Sequence, residues 1–133
     1  MATDIAGLKE RFREHGVPEG ATPVAGHTAA DVTSTTGIAL VGMTAPGAGR
    51  AFFFTQIHAV NLTTAETPVL VLQDEDDVPF VFFVPMDVAG DVGSQVLNLD
   101  PPIKSTTNKA IEVAALSAVG DCRVTVLGYD GLA

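Results

Sequence analysis

The stretch Ser94-Gln-Val-Leu-Asn-Leu-Asp-Pro-Pro-Ile-Lys104, continued by Ala110-Ile-Glu-Val-Ala-Ala-Leu116 and Arg123-Val-Thr-Val-Leu-Gly-Tyr129, decides the fold class. Each run is short and rich in β-branched or aliphatic residues, and each is bounded by turn chemistry. Alternation of this kind places successive side chains on opposite faces of a strand. Asp100-Pro101-Pro102 removes two backbone donors and is expected to end the first strand, while Thr106-Thr107-Asn108 can turn the chain through side-chain to backbone bonds.

Working toward the N-terminus, the same pattern recurs. Ile38–Thr44 is one run, closed by Pro46-Gly47-Ala48-Gly49, and Arg50–Leu62 is the longest. In that long run Phe52, Phe54, Gln56, His58 and Val60 alternate with Phe53, Thr55, Ile57, Ala59 and Asn61, so neither face is uniformly polar. A bend, a bulge or burial of both faces is implied. Val69–Gln73 and Phe80–Val84 flank Asp74-Glu75-Asp76-Asp77, as a hairpin with a charged tip would, and Pro79 and Pro85 bracket the second strand as suits a sheet edge. About seven strands with no helix between them predict an all-β domain over residues 37–133, an antiparallel β-sandwich of jelly-roll or Ig-like type.

Residues 1–36 read differently. Ile5, Leu8 and Phe12 fall at helical spacing over 4–15, with Glu10, Arg11 and Glu14 off that stripe; Thr3 is the expected N-cap, and Gly16 and Pro18 stop the helix. About three turns are marginal alone, so the helix must pack on something, either its own domain or a neighbouring subunit. Residues 17–36 are rich in Pro, Gly, Ala and Thr and read as an extended arm. Removal of residues 1–36 is accordingly expected to leave a folded domain.

The chain has 133 residues, enough for one domain with a core. A formal net charge of −9, with no Lys or Arg between Arg50 and Lys104, opposes binding to nucleic acid or to anionic membranes. No apolar run reaches the roughly 18 residues needed to span a bilayer. The first residues lack the basic and apolar regions of a secretory signal, so synthesis in a cytoplasm is expected. The single cysteine, Cys122, beside Val124 and Val126, reads as a packed strand residue.

The candidate chemistry is sparse. Four consecutive carboxylates at Asp74–Asp77 could offer oxygen ligands to calcium, but their spacing is not that of an EF-hand loop, and a charged hairpin tip explains them as well. His15, His27 and His58 form no paired metal motif, and His15 suits a helix C-terminus. Ser94, Ser105 and Ser117 lack a nucleophile-elbow context. Asn61-Leu62-Thr63 fits a glycosylation pattern only by composition. The phenylalanines read as core, and with one Tyr and no Trp a carbohydrate-binding module is a weak alternative. No catalytic, cofactor or metal residue is therefore assigned, and the chain reads as non-enzymatic.

At Leu97-Asn-Leu-Asp-Pro-Pro-Ile-Lys-Ser-Thr-Thr-Asn-Lys-Ala-Ile-Glu-Val113, with Ala114-Ala-Leu-Ser-Ala118 and Val124-Thr-Val-Leu-Gly-Tyr129, the chain resembles small β-sandwich virion proteins of tailed bacteriophages. Lys109 departs from the small residue of that pattern. The resemblance implies a virion structural component: a capsid decoration (cement) protein, or else a tail, baseplate or fibre subunit. It implies the major capsid protein as partner, a homotrimer, and a place on the capsid surface. The residues expected at such an interface are Ile5, Leu8 and Phe12 of the apolar stripe, with Arg11 and Arg13 facing acidic capsid surface.

Overall fold

The computed structural model describes residue 18 and residues 20–62, 69–85, 93–116 and 121–133. The helix expected over 4–15 lies outside them. Eight strands are present: β1 (Thr22–Thr28), β2 (Ile38–Val41), β3 (Arg50–Asn61), β4 (Leu70–Asp74), β5 (Pro79–Phe83), β6 (Gly93–Lys104), β7 (Ile111–Ala115) and β8 (Cys122–Leu132). They form one sheet in the order β5-β4-β7-β2-β1-β8-β3-β6, and every pairing is antiparallel.

All seven strands read from the sequence are present, but the layering differs from a sandwich of two separate sheets. The four-residue β2 makes both halves continuous, since Ile38 and Ala39 pair with Val113 and Glu112 of β7 while Leu40 and Val41 pair with Thr28 and His27 of β1. The sheet then rolls until its two ends share one core. Phe80 of β5 lies 5.7 Å, centroid to centroid, from Phe54 of β3, and Val81 of β5 packs on the same cluster as Leu97, Leu99 and Ile103 of β6. The architecture is that of a nearly closed barrel filled by Val32, Leu40, Met43, Phe54, Ile57, Leu70, Leu72, Ile111, Val113, Val124 and Val126.

Of the bend, bulge or two-sided burial implied by its mixed faces, the long strand β3 carries a bulge. Its register slips between Phe54 and Gln56 against both β8 and β6. Before the slip Phe52 and Phe54 point into the core; after it Ile57 and Ala59 do, so inward parity changes from even to odd at Thr55. Opposite the slip stands Gly128, where a Cβ would lie 2.1 Å from the Phe53 carbonyl oxygen. Only a residue without a side chain lets β8 approach the kinked backbone that closely.

Strand β1 corrects the expected arm. Residues 22–28 lie inside the sheet between β2 and β8, so the sheet begins well before the boundary drawn at residue 36. The alternation was hidden because its inward positions are Gly26 and Thr28: a Cβ on Gly26 would meet the Met43 side chain at 2.8 Å, so Met43 fills the space that a large β1 residue would need. Pro23 fits because β2 pairs only with His27 and Thr28, leaving the flank of Pro23 away from β8 without a ladder partner in β2. Strand β6 is the second correction. It continues through the cis Asp100–Pro101 peptide, and pairing with β3 resumes at Ile103 and Lys104. As an edge strand it tolerates the missing donors.

Two consequences can be checked by thermal or urea melts. Gly128→Ala should cost about 2 kcal/mol or more, because the opposing atom is backbone and cannot rotate away. Gly131→Ala, whose Cβ would find nothing nearer than 3.4 Å, should cost under about 1 kcal/mol. Removing residues 1–36 deletes β1 and should abolish the cooperative transition, whereas removing residues 1–17 retains all eight strands and should preserve it.

Candidate functional site

The acidic tip at Asp74–Asp77 is built for structure. Asp74 is fully buried, and its Oδ1 accepts the backbone N–H groups of Asp76 at 2.8 Å and Val78 at 3.0 Å. The turn is closed further by Asp77 N donating to Asp74 O and Asp74 N donating to Val78 O, with Asp77 held at φ 64°. Burial by itself would raise the Asp74 pKa. The backbone hydrogen bonds from Val78 and Asp76, together with the nearby Thr106 hydroxyl and the charge of Lys109, outweigh it and hold the carboxyl below its ordinary value.

The remaining acids of the tip are engaged separately. Asp76 takes Lys109 Nζ at 2.7 Å, with Glu75 4.0 Å from the same ammonium. Gln73 Nε2 donates to Asp77 Oδ1 at 2.9 Å and to Glu112 Oε1 at 2.7 Å, bridging two carboxyl groups with one amide. Among the described residues no group of three or more His, Cys, Asp or Glu side chains could hold a metal ion. The sequence-level calcium reading therefore gains nothing from the geometry.

Glu112 is the member of this group whose ionisation the surroundings oppose. Burial raises its pKa first; the Gln73 bond opposes that, while the neighbouring carboxylates of Asp77 and Asp74 add to it. A carboxyl raised in the folded state stabilises fully below its unfolded value of about 4.5, and that contribution is lost as pH climbs through the folded pKa. Asp74 has the opposite sign: its contribution is present above about 3.8 and lost as pH falls through the lowered folded pKa.

The other titratable candidates are spread out. His27 of β1 and His58 of β3 both register with Thr125 of β8, so they share the outer face two strand spacings apart, roughly 10 Å. That is too far for one metal ion with bonds of about 2 Å. His58 Nε2 instead meets Gln56 Oε1 at 3.0 Å, and Gln56 Nε2 donates to Asn98 Oδ1 at 2.7 Å across to β6. Cys122 is buried, its thiol pushed up to about 11 by burial and by the Asp121 and Asp31 charges, and it lies 3.6 Å from Asn61 Oδ1. A thiol held protonated there is a packing group. Arg50 pairs with Asp130 at 2.7 Å and Arg123 pairs with Asp31.

What the sequence did not disclose is an apolar groove of about 200 Å³ on the outer face, lined by Pro18, Ala21, Phe53, Tyr129, Gly131 and Leu132. The Phe53 and Tyr129 rings stack at 4.9 Å and 13°. Tyr129 is buried although its strand position points away from the core, and burial raises its phenol. The signal in the sequence was the Phe52-Phe53-Phe54 triplet, which only the bulge resolves into core and surface residues. The expected interface residues Ile5, Leu8, Phe12, Arg11 and Arg13 lie outside the described residues.

No protein-family model matches the chain, and no curated protein matches it significantly. Among solved structures it is similar to a chain of the cyanophage Pam1 capsid asymmetric unit, with a TM-score of 0.48 and 16% identity over 83% of this chain and 84% of that one. It is also similar to a chain of the acidic stable capsid structure of Helicobacter pylori bacteriophage KHP30, with a TM-score of 0.45 and 14% identity over 82% of this chain and 86% of that one.

Glu112→Gln tests the carboxyl pair. A carboxamide can still accept from Gln73 and carries no charge to be buried beside Asp77 and Asp74, so the variant should melt higher at pH 7 by the equivalent of about 0.5–1.5 kcal/mol. Its advantage should vanish near pH 4, where the wild-type carboxyl is protonated.

Proposed function

We propose that the chain is a non-enzymatic structural protein of a tailed-phage virion, a decoration protein that binds the outer surface of the capsid and stabilises its lattice. The observation that carries this reading is the surface. Val41, Val78, Phe82, Val96, Leu116 and Leu132 are exposed, and edge strand β6 opens with Gly93-Ser-Gln-Val-Leu-Asn-Leu99, free of charge and of proline. Soluble monomers usually blunt a long edge with Lys, Pro or a bulge. An edge bare over residues 93–99 suits a protein whose sheet edge is covered on assembly.

The sequence resemblance over residues 97–129 supplies the kind of assembly. In this reading the major capsid protein is the partner, copies associate as trimers, and the protein resides on the capsid surface. Ile5, Leu8 and Phe12 give the apolar contact of the N-terminal segment, and Arg11 and Arg13 face acidic capsid surface. Neither nucleic acid nor membrane is a partner. A tail, baseplate or fibre subunit is the second reading, since the same bare edge would serve pairing between copies along a fibre.

Purified protein mixed with capsids lacking it should co-sediment, saturate at a fixed ratio and raise the temperature at which the capsids release their contents. Charge reversal at Arg11 and Arg13 together should weaken that binding while leaving the melting temperature of the free protein unchanged. Failure to bind capsids, with elongated homotrimers in solution, would instead favour the fibre reading.

A further inference from the structure

The outer face of β3 and β8 changes character at the bulge. On the Asn61 side it carries Gln56, His58, Arg123 and Thr125; on the Arg50 side it carries Ala51, Tyr129 and Gly131, which are buried, beside half-buried Phe53, with Leu132 at the strand end 78% exposed. The apolar half is where the chain enters the sheet. Ala21 N donates to Pro18 O at 3.2 Å, and this turn forms one wall of the groove, with Ala21 Cβ in van der Waals range of position 131.

Residues 1–17 join the structure at that wall. They contain the one stretch of the sequence with helical apolar spacing, Ile5, Leu8 and Phe12, whose hydrocarbon needs cover. Phe12 lies six residues before Pro18, a reach of up to roughly 20 Å in extended chain, enough to bring it back over Phe53 and Tyr129. A tether of that length keeps the segment at about millimolar effective concentration near the groove, well above what separate molecules present to each other.

We propose that the groove seats the Ile5, Leu8, Phe12 stripe of the same chain, so that in the free protein the N-terminal segment is stowed on the outer face of β3 and β8. The stripe then covers Phe53, Leu132 and the remaining exposed edge of Tyr129, and is itself withheld from other surfaces. Any partner that uses the stripe must compete with the groove for it. This inference concerns the free protein and stands apart from the identity of the particle.

The chain has one tyrosine, Tyr129, and no tryptophan, so its intrinsic emission reports on the groove. Acrylamide quenching of the full-length protein should be weak and independent of dilution. Phe12→Asp should increase quenching without lowering the melting temperature enough to populate unfolded chain, and Arg13→Asp, off the stripe, should not. Equal quenching in wild type and Phe12→Asp would overturn the proposal, as would protection that disappears on dilution, which would assign the occupant to a second copy. A disulfide provides the independent check, because the single native cysteine is buried. The double substitution Phe12→Cys with Leu132→Cys should oxidise to a monomer of altered mobility; disulfide-linked dimers, or no bond, would refute docking within one chain.

Discussion

Everything in this sheet is arranged around the close approach of β8 to the kinked backbone of β3. At Phe54–Gln56 one extra residue is accommodated in β3, and Gly128 lies against the Phe53 carbonyl where no side chain would fit. The kink reverses which residues of β3 face inward, so one strand supplies Phe52 and Phe54 to one part of the core and Ile57 and Ala59 to the other. It also increases the local twist, which a sheet must have to roll until its ends meet. Phe53 is left pointing outward against Tyr129, and the same irregularity that closes the barrel creates the apolar half of its surface.

Where the ladder cannot be regular, side chains stand in for it. Thr28 Oγ1 accepts Val124 N at 3.1 Å just beyond the last β1–β8 pair, and the isolated Val32–Cys122 bridge continues the contact. Ser105 Oγ accepts Phe52 N at 2.9 Å while Ser105 N donates to Phe52 O, extending the β3–β6 pairing past Lys104. Asp74 does the same for the β4–β5 turn. These buried polar residues satisfy backbone groups that would otherwise lack partners, each worth about 1–3 kcal/mol if orphaned. Their polarity is thus a requirement of strand geometry.

The legible part of the fold was the part that buries large alternating side chains. β4, β7 and β8 place Leu70, Leu72, Ile111, Val113, Val124 and Val126 inward at period two, and the mixed faces of Arg50–Leu62 implied a bend, a bulge or burial of both faces, of which the bulge is present. Strand β1 was illegible because Met43, arriving from the β2 side, occupies the volume over Gly26 and so erases the alternation. Strand β6 was cut short at Asp100 because proline removes donors, a rule that loses force on an edge. The groove was illegible for a related reason: Phe53 and Tyr129 carry the residue types of a core, and only the register of β3 on β8 shows that they face outward.

The charge distribution argues in the same direction as the packing. Every ion pair described here joins segments distant in sequence, Arg50 with Asp130, Arg123 with Asp31 and Lys109 with Asp76, and each fastens a strand end or a turn. Partly exposed pairs of this kind contribute little stability singly, on the order of 1 kcal/mol or less, but they fix local geometry at the ends of an otherwise apolar roll. Arg50, Lys109 and Arg123 are tied to the chain's own carboxylates, and Thr28, Asp74 and Ser105 to its own backbone. Apolar surface gains free energy by being covered, and the bulge at Thr55 determines where on the barrel the Phe53 and Tyr129 side of it lies.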